Sequence, residues 1–237
     1  MNLSPLDTAR WNVVTAKASG VTAESLPSAL AHCREHGVGF LIARCSTSDL
    51  AAARAMERAG FELMDTLVYF SRSIGSDTPR DEGQAVVREI ARGEERAVKD
   101  VAGRAFAGYF GHYHADARLD RSECDAVYVD WAERSCVSRD VADGVLVATL
   151  AGEIVGFVTL RLNGDEKGEG VLFGVAPQAQ RRGISRSLMI GALRWFEARG
   201  RSRMLISTQI TNVAVQKVWI RLGFEPSKSY YTFHKWF

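Results

Sequence analysis

Two apolar rhythms alternate along this chain. Apolar positions three and four apart predict helices over 26–36, 47–59, 94–106, 122–136, about 182–198 and 212–223. Short apolar or alternating runs between them predict strands over 40–43, 63–70, 85–90, 145–150, 154–162, 170–176, 203–208 and 230–236. Gly37 and Gly60 stand where helices close, and Thr47 or Ser48 can cap the helix that Gly60 ends. Ala151-Gly152-Glu153 turns an antiparallel pair. The stretch from Ile74 to Gly83 is polar and rich in turn formers, so it reads as a linker. It divides the chain into a smaller α/β unit over 1–74, a linker over 75–84 and a larger unit over 85–237.

The two units echo each other. The offset that lays Gly60-Phe61-Glu62 on Gly223-Phe224-Glu225 also lays Arg58 on Arg221, Gly37 on Gly200 and Phe70 on Phe233, without a gap. It places Lys17-Ala18-Ser19-Gly20-Val21-Thr22 on Gln180-Arg181-Arg182-Gly183-Ile184-Ser185. A duplicated turn–helix–strand–helix–strand unit is the expected cause. The first copy lacks the paired arginines.

That second hexapeptide is where chemistry enters. It lies between the apolar strand ending at Val175 and the helix that follows. Such a turn aims free backbone N–H groups and the positive end of a helix dipole at one point, where a pyrophosphate fits. Arg181 and Arg182 add charge there. The Gln-x-x-Gly-x-small spacing, Asn212 at a later helix start and Leu222-Gly223-Phe224 before the last strand together resemble the GNAT acyltransferases. The resemblance covers about 85 to the end.

The resemblance implies a GNAT fold, a mixed central sheet with flanking helices in the α/β (α+β) class, preceded by a partial GNAT-like unit. It implies acetyl-CoA, or another acyl-CoA, as co-substrate. Gln180, Arg181, Arg182, Gly183, Ile184, Ser185 and Arg186 would hold the pyrophosphate. The strand edge Leu172-Phe173-Gly174-Val175 and Asn212 would take the pantetheine arm, with one strand N–H polarising the thioester carbonyl. Ser185 stands where the family usually has Gly or Ala. The reaction implied is direct attack of an amine on the thioester. Many members carry a tyrosine seven residues after the asparagine as proton donor to sulfur. This chain has Trp219 there, whose indole is no usable acid. Tyr230 or Tyr231 could substitute, or the thiolate could leave unassisted. Glu169 is the candidate base.

His112, Tyr113 and His114 lie in an aromatic segment before the second helix of the larger unit and are candidates for the substrate face. The overall layout is similar to family members that acetylate dTDP-linked amino-dideoxy sugars in cell-surface polysaccharide synthesis. A nucleotide-linked amino sugar is therefore the expected small-molecule partner. Another amine, a protein terminus or an inactive acyl-CoA-binding module are the alternatives.

Composition narrows the partners. The chain is 46% hydrophobic and 24% charged with a net charge of +2, enough for a core and without a basic stripe, so no nucleic acid is expected. No apolar run approaches the roughly 20 residues a membrane helix needs. The start has no charged region leading into an apolar one, so no secretory signal is expected. Cys33, Cys45, Cys124 and Cys136 form no C-x-x-C pair and read as reduced thiols. His112-x-His114 lacks a third ligand, so no metal is expected. A cytoplasmic protein is the expectation, with a homodimer left open.

Overall fold

The computed structural model describes residues 1–75 and 77–237; Ser76, inside the expected linker, lies outside the described residues. Ten strands form one mixed sheet flanked by helices on both faces. In chain order they are β1 (Asn2–Leu3), β2 (Thr15–Ser19), β3 (Phe40–Ser46), β4 (Glu62–Ser73), β5 (Val86–Glu89), β6 (Gly144–Leu150), β7 (Glu153–Asn163), β8 (Lys167–Val175), β9 (Arg203–Gln209) and β10 (Glu225–Trp236). The helices are α1 (Pro5–Trp11), α2 (Leu26–Glu35), α3 (Leu50–Arg58), α4 (Glu95–Ala105), α5 (His112–Ala115), α6 (Arg121–Val137), α7 (Ile184–Glu197) and α8 (Val213–Arg221).

The spatial order is β1-β2-β3-β10-β4-β9-β8-β7-β6-β5. Sequence alternation sets the faces. Ala16, Ala18, Leu41, Ala43, Cys45 and Phe233 turn to the face covered by α2 and α3. Further along the same face, Met204, Ile206, Phe70 and Phe224 meet α7 and α8. The opposite face carries α4 and α6, which close over Val147, Phe157 and Leu172. A smaller cluster of Phe40, Ile42, Tyr113, Leu119 and Cys124 continues that face. Strand β3 is thus covered on both sides, which explains its unbroken apolar run.

The repeat is visible in the elements. Carried by the offset noted above, β3 lands on β9, α3 on α8 and β4 on β10, end to end. Gly60 and Gly223 follow the equivalent helices with φ of 78° and 77°, the left-handed conformation a helix terminus needs. Ahead of α2 and α7 the equivalence ends. Lys17 to Ser19 are strand, whereas Gln180 to Arg182 are turn.

The last strands of the two units are interchanged. Strand β4 does not pair with β3; it lies between β9 and β10. Strand β10 does not pair with β9; it lies between β3 and β4. Both strands thus lie inside one continuous ten-stranded sheet.

Four elements are absent from the sequence reading: β1, α1, β2 and α5. The expected cap at Thr47 or Ser48 is Asp49 instead, whose side chain accepts from Ala52 N. The linker is pinned to its surroundings. Ile74 N donates to Ser202 O at 2.8 Å, and Ser187 Oγ to Asp81 Oδ1 at 2.9 Å. All four cysteines are free thiols; burial pushes Cys124 up to about 11 and Cys136 up to about 12. Among the described residues no helix is long and apolar enough to cross a membrane.

Candidate active site

The sheet forks. Strands β8 and β9 run parallel and pair only from Lys167↔Arg203 to Gly170↔Ile206. Beyond that level β8 stays paired with β7 but loses its neighbour on the other side. Residues 171–175 therefore present a free backbone edge. A bulge at Val171 adds one residue opposite Thr159 and Leu160. Such an extra residue bends the strand and re-aims its amide. Leu172 N donates to Thr159 Oγ1 at 3.1 Å, which fixes the strand just past the bulge.

Gly174 has a packing reason. A Cβ there would stand 2.4 Å from Phe157 Cε1, so any side chain would collide with the ring beneath.

Past β8 a short 3-10 turn leads into the hexapeptide. Gln180 N donates to Pro177 O, and the next backbone donor with an acceptor is Ser187 N, to Gly183 O at 3.0 Å. Among the described residues, the six amides from Arg181 to Arg186 have no acceptor. Gly183 is the N-cap of α7 at φ 78°, and Arg181 adopts φ 60°. No side chain caps this helix, while buried Ile184 anchors it to the core. A run of unsatisfied donors at a helix start is what a pyrophosphate requires. Ser185 fits the turn without bonding it. Arg186 reaches back to Arg80 O and lies 3.6 Å from Asp81.

A cleft of about 820 Å³ opens at the fork on the face of α4 and α6. Its floor is one face of the sheet, from Lys17 and Arg44 through Tyr69 and Ser207 to Glu169 and Phe173. Asn212 and Trp219 reach it through the fork. Asn212 caps α8 through Val215 N and donates to Thr208 Oγ1 at 3.0 Å. Trp219 is 4% exposed and sits edge-on to Phe70 with centroids 5.5 Å apart, so it is also core.

Of the sequence-predicted residues, the cleft gathers Glu169, Leu172, Phe173, Asn212, Trp219, His112 and Tyr113. Gly174, Val175 and 180–186 continue from it along β8 and its turn. His114 does not line it. Its ring bonds Asp125 Oδ1 at 2.9 Å and accepts from Gly111 N at 3.2 Å, which staples the loop to α6. Tyr231 packs with the core under α2 and α3, on the opposite face. Tyr230 shares the cleft face but stands behind Tyr69, edge-on at 5.8 Å.

The sequence reading missed Tyr69 and Arg44. Tyr69 pairs with Ser207, one residue past the last β8–β9 pair, so it stands at the fork. Burial and then the nearby Glu169 charge push its phenol up, which keeps it protonated. The other cleft phenols with partners are committed: Tyr109 donates to Gln209 Oε1, and Tyr113 to Asp7 Oδ1 at 2.9 Å.

A buried relay backs the cleft wall. Trp236 Nε1 donates to Asp116 Oδ2 at 2.8 Å, and the His234 ring meets the same oxygen at 2.8 Å. Burial raises the Asp116 carboxyl, but bonds from His234, Trp236 and the Arg118 amide outweigh it and hold it down to about 2. The ionised carboxylate only accepts, so His234 Nδ1 carries a proton. Its Nε2 lies 2.9 Å from His112 Nδ1, one ring donating and the other accepting. Burial, followed by the charges of His234 and Arg44, pushes His112 well below its ordinary value. His112 is therefore a neutral ring. Ligand-type side chains also cluster at His32, Glu35 and His36 on α2, away from the cleft.

Comparison with known proteins accords with this geometry. Residues 105–224 match the Acetyltransferase (GNAT) family. The dTDP-fucosamine acetyltransferase of Escherichia coli O6:H1 is 27% identical over 76% of this chain and 75% of its own length. A mycothiol acetyltransferase from Streptomyces bingchenggensis is 35% identical over 70% of this chain and 53% of its own length. One from Saccharomonospora viridis is 30% identical over 74% and 58%. The chain thus spans little more than half the length of these two mycothiol relatives. A protein of unknown function from Staphylococcus epidermidis shares the fold at TM-score 0.68 and 14% identity, covering 99% of this chain and 89% of its own. A forked sheet, an uncapped helix start that can cradle pyrophosphate, and a family match across half the sequence make one assignment: the chain belongs to the GNAT family of acetyltransferases.

Proposed function

We propose that this chain transfers the acetyl group of acetyl-CoA to the amine of a nucleotide-linked amino-dideoxy sugar. The observation that carries the reading is the continuous path from fork to turn. The free edge of 171–175 can pair with the pantetheine amides as an added strand would. Six open amides at its far end suit the pyrophosphate. The amide re-aimed by the bulge would polarise the carbonyl.

The amine would enter from the opposite side, on the cleft floor. Glu169 and Tyr69 stand there. Glu169 is half-buried and accepts from Asn163 Nδ2 at 2.9 Å, so it keeps acceptor capacity for an amine proton passed directly or through water. Nitrogen bonds to the acetyl carbon, the carbon–sulfur bond breaks, and the thiolate leaves with the pair of electrons. Tyr69 is better placed than Tyr230 or Tyr231 to supply a proton in this cleft. His112 and Tyr113 would contact the sugar, with His114 holding their loop.

The sugar-nucleotide acceptor is supported by the likeness to the dTDP-fucosamine enzyme, and a mycothiol-type acceptor is the second reading, supported by the mycothiol acetyltransferases. Steady-state thiol release with acetyl-CoA and a panel of dTDP- and UDP-amino sugars, mycothiol-type amines and polyamines tests the reading. Turnover that prefers the dTDP-amino sugars is expected. Turnover of polyamines with none of the sugar nucleotides would overturn it.

A further inference from the structure

Four cations line the cleft, and three are accounted for. Arg10 is paired with Glu123 at 2.7 Å and with Asp130. Lys17 is paired with Asp7 at 2.5 Å. Arg134 stands exposed at the rim. Arg44 is half-buried inside, and among the described residues no carboxylate lies within 4.0 Å of it. Among the described residues, its one side-chain hydrogen bond runs from Nε to Thr232 Oγ1 at 3.2 Å. That bond fixes the stem and leaves the two terminal nitrogens available. Its positive charge is felt by Tyr69, His112, Tyr113 and Tyr128, so it stands among β4, α5 and α6.

The guanidinium is held in a partly dry, aromatic-walled cleft with, among the described residues, no carboxylate within 4.0 Å, while Asp65, across Thr232 in the sheet register, has no hydrogen-bond partner on either oxygen. A planar pair of donors suits a phosphoryl oxygen pair better than a point charge would. We infer that Arg44 is an anion-recognition residue that binds a phosphate group of the amine substrate, at a subsite separate from the acetyl-CoA pyrophosphate. The inference rests on the proposed acetyl transfer only for the position of the amine.

Position keeps the two phosphate sites apart. The open amides at 181–186 span the turn into α7 and its first residues, and α7 packs on the opposite face of the sheet. Strand β3 is three strands from β9, roughly 14 Å at about 4.8 Å a step. An arginine side chain spans part of that distance, which leaves room for a sugar ring between an amine at the fork and a phosphate at Arg44. The neutral His112 beside it adds no competing charge. A substrate with an amine at one end and a phosphate beyond one ring is the class this spacing selects.

The test uses the full chain saturated with CoA, so that the turn is filled. Calorimetric titration with inorganic pyrophosphate should show binding, and malonate should bind more weakly. Arg44→Gln should weaken pyrophosphate binding roughly 10- to 100-fold, the worth of a charged hydrogen bond or two. Arg44→Lys, which keeps charge but loses the fork, should fall between. Equal pyrophosphate binding by wild type and Arg44→Gln, or tighter malonate than pyrophosphate, would overturn the inference. Should Arg44→Gln lose its cooperative thermal transition, the wild type decides alone: pyrophosphate must compete with the amine and not with acetyl-CoA. In turnover, Arg44→Gln should raise KM for a dTDP-amino sugar by the same factor and leave KM for its methyl glycoside unchanged. If wild type acetylates no sugar nucleotide, the proposed acceptor fails, and the calorimetric comparison still decides Arg44.

Discussion

Replacing Gly183 by valine tests the pyrophosphate turn without touching the fork. Gly183 is the N-cap of α7 at φ 78°. A side chain there meets nothing within 4 Å, so the cost is torsional and not a clash. An L-residue in this left-handed region costs about 1–2 kcal/mol, and a β-branched one stands at the high end. The chain can bear that strain or relieve it by turning the peptide planes. Bearing it lowers Tm by about 2–8 °C. Relieving it swings the amides of Arg182 to Ser185 away from their common point. Losing a single amide bond to a charged phosphate costs about 1.5–3 kcal/mol, at least about tenfold in affinity. The assay compares acetyl-CoA with S-acetylpantetheine, which has the arm but no pyrophosphate. Gly183→Val should raise KM and Kd for acetyl-CoA at least tenfold and change kcat/KM for S-acetylpantetheine by less than about twofold. Equal losses for both thioesters, or none for either in a folded variant, would refute the turn as the phosphate site.

Three further outcomes follow from the packing and the relay. Tyr69→Phe should lower kcat at least about tenfold with acetyl-CoA KM unchanged, as removal of a proton donor does; an unchanged kcat would take Tyr69 out of the chemistry. The Asp116 carboxyl is held down to about 2 from 3.8, so its ionised form stabilises the fold, fully above about pH 4 and progressively less as pH falls to about 2. Urea denaturation of Asp116→Asn should therefore show a flatter acid limb than wild type across that window, and an identical limb would contradict the relay. Gly168→Ala would place a Cβ 2.3 Å from buried Phe196, so overpacking of about 1–3 kcal/mol should lower Tm by several degrees; an unchanged Tm would mean the ring moves freely.

The turn and its surroundings were legible because their signals are local. A glycine at a positive φ, a helix rhythm after it and an asparagine cap later can all be read from neighbours in sequence. The repeat was legible for the same reason, and β3, α3 and β4 fall on β9, α8 and β10. What could not be read is which strand lies beside which. Alternation assigns each side chain to a face but does not name the partner strand. Dividing the chain at the linker left Tyr69 and Arg44 in the smaller unit, outside the one that carries β8 and β9. The interchange of β4 and β10 brings both into the cleft.

The remaining gaps are equally physical. Strand β2, Thr-Ala-Lys-Ala-Ser, lacks the β-branched bulk that marks most strands, so it went unread beside Lys17. The segment around α5 was legible as aromatic and imidazole-rich, but the roles of His112 and His114 depend on His234 and Asp125, distant in sequence. Trp219 was legible as a departure from the family pattern. Its contact with Phe70 explains the residue as packing, since Phe70 comes from the interchanged strand.

Mass spectrometry of one reaction tests the central claim most directly. The chain is incubated with carbonyl-labelled acetyl-CoA and dTDP-4-amino-4,6-dideoxygalactose. One labelled acetyl group on the sugar nitrogen is expected for each CoA released, and at least about tenfold less with Tyr69→Phe on the same timescale. CoA release with no acetylated sugar nucleotide, or acetylation of a polyamine in its place, would contradict it.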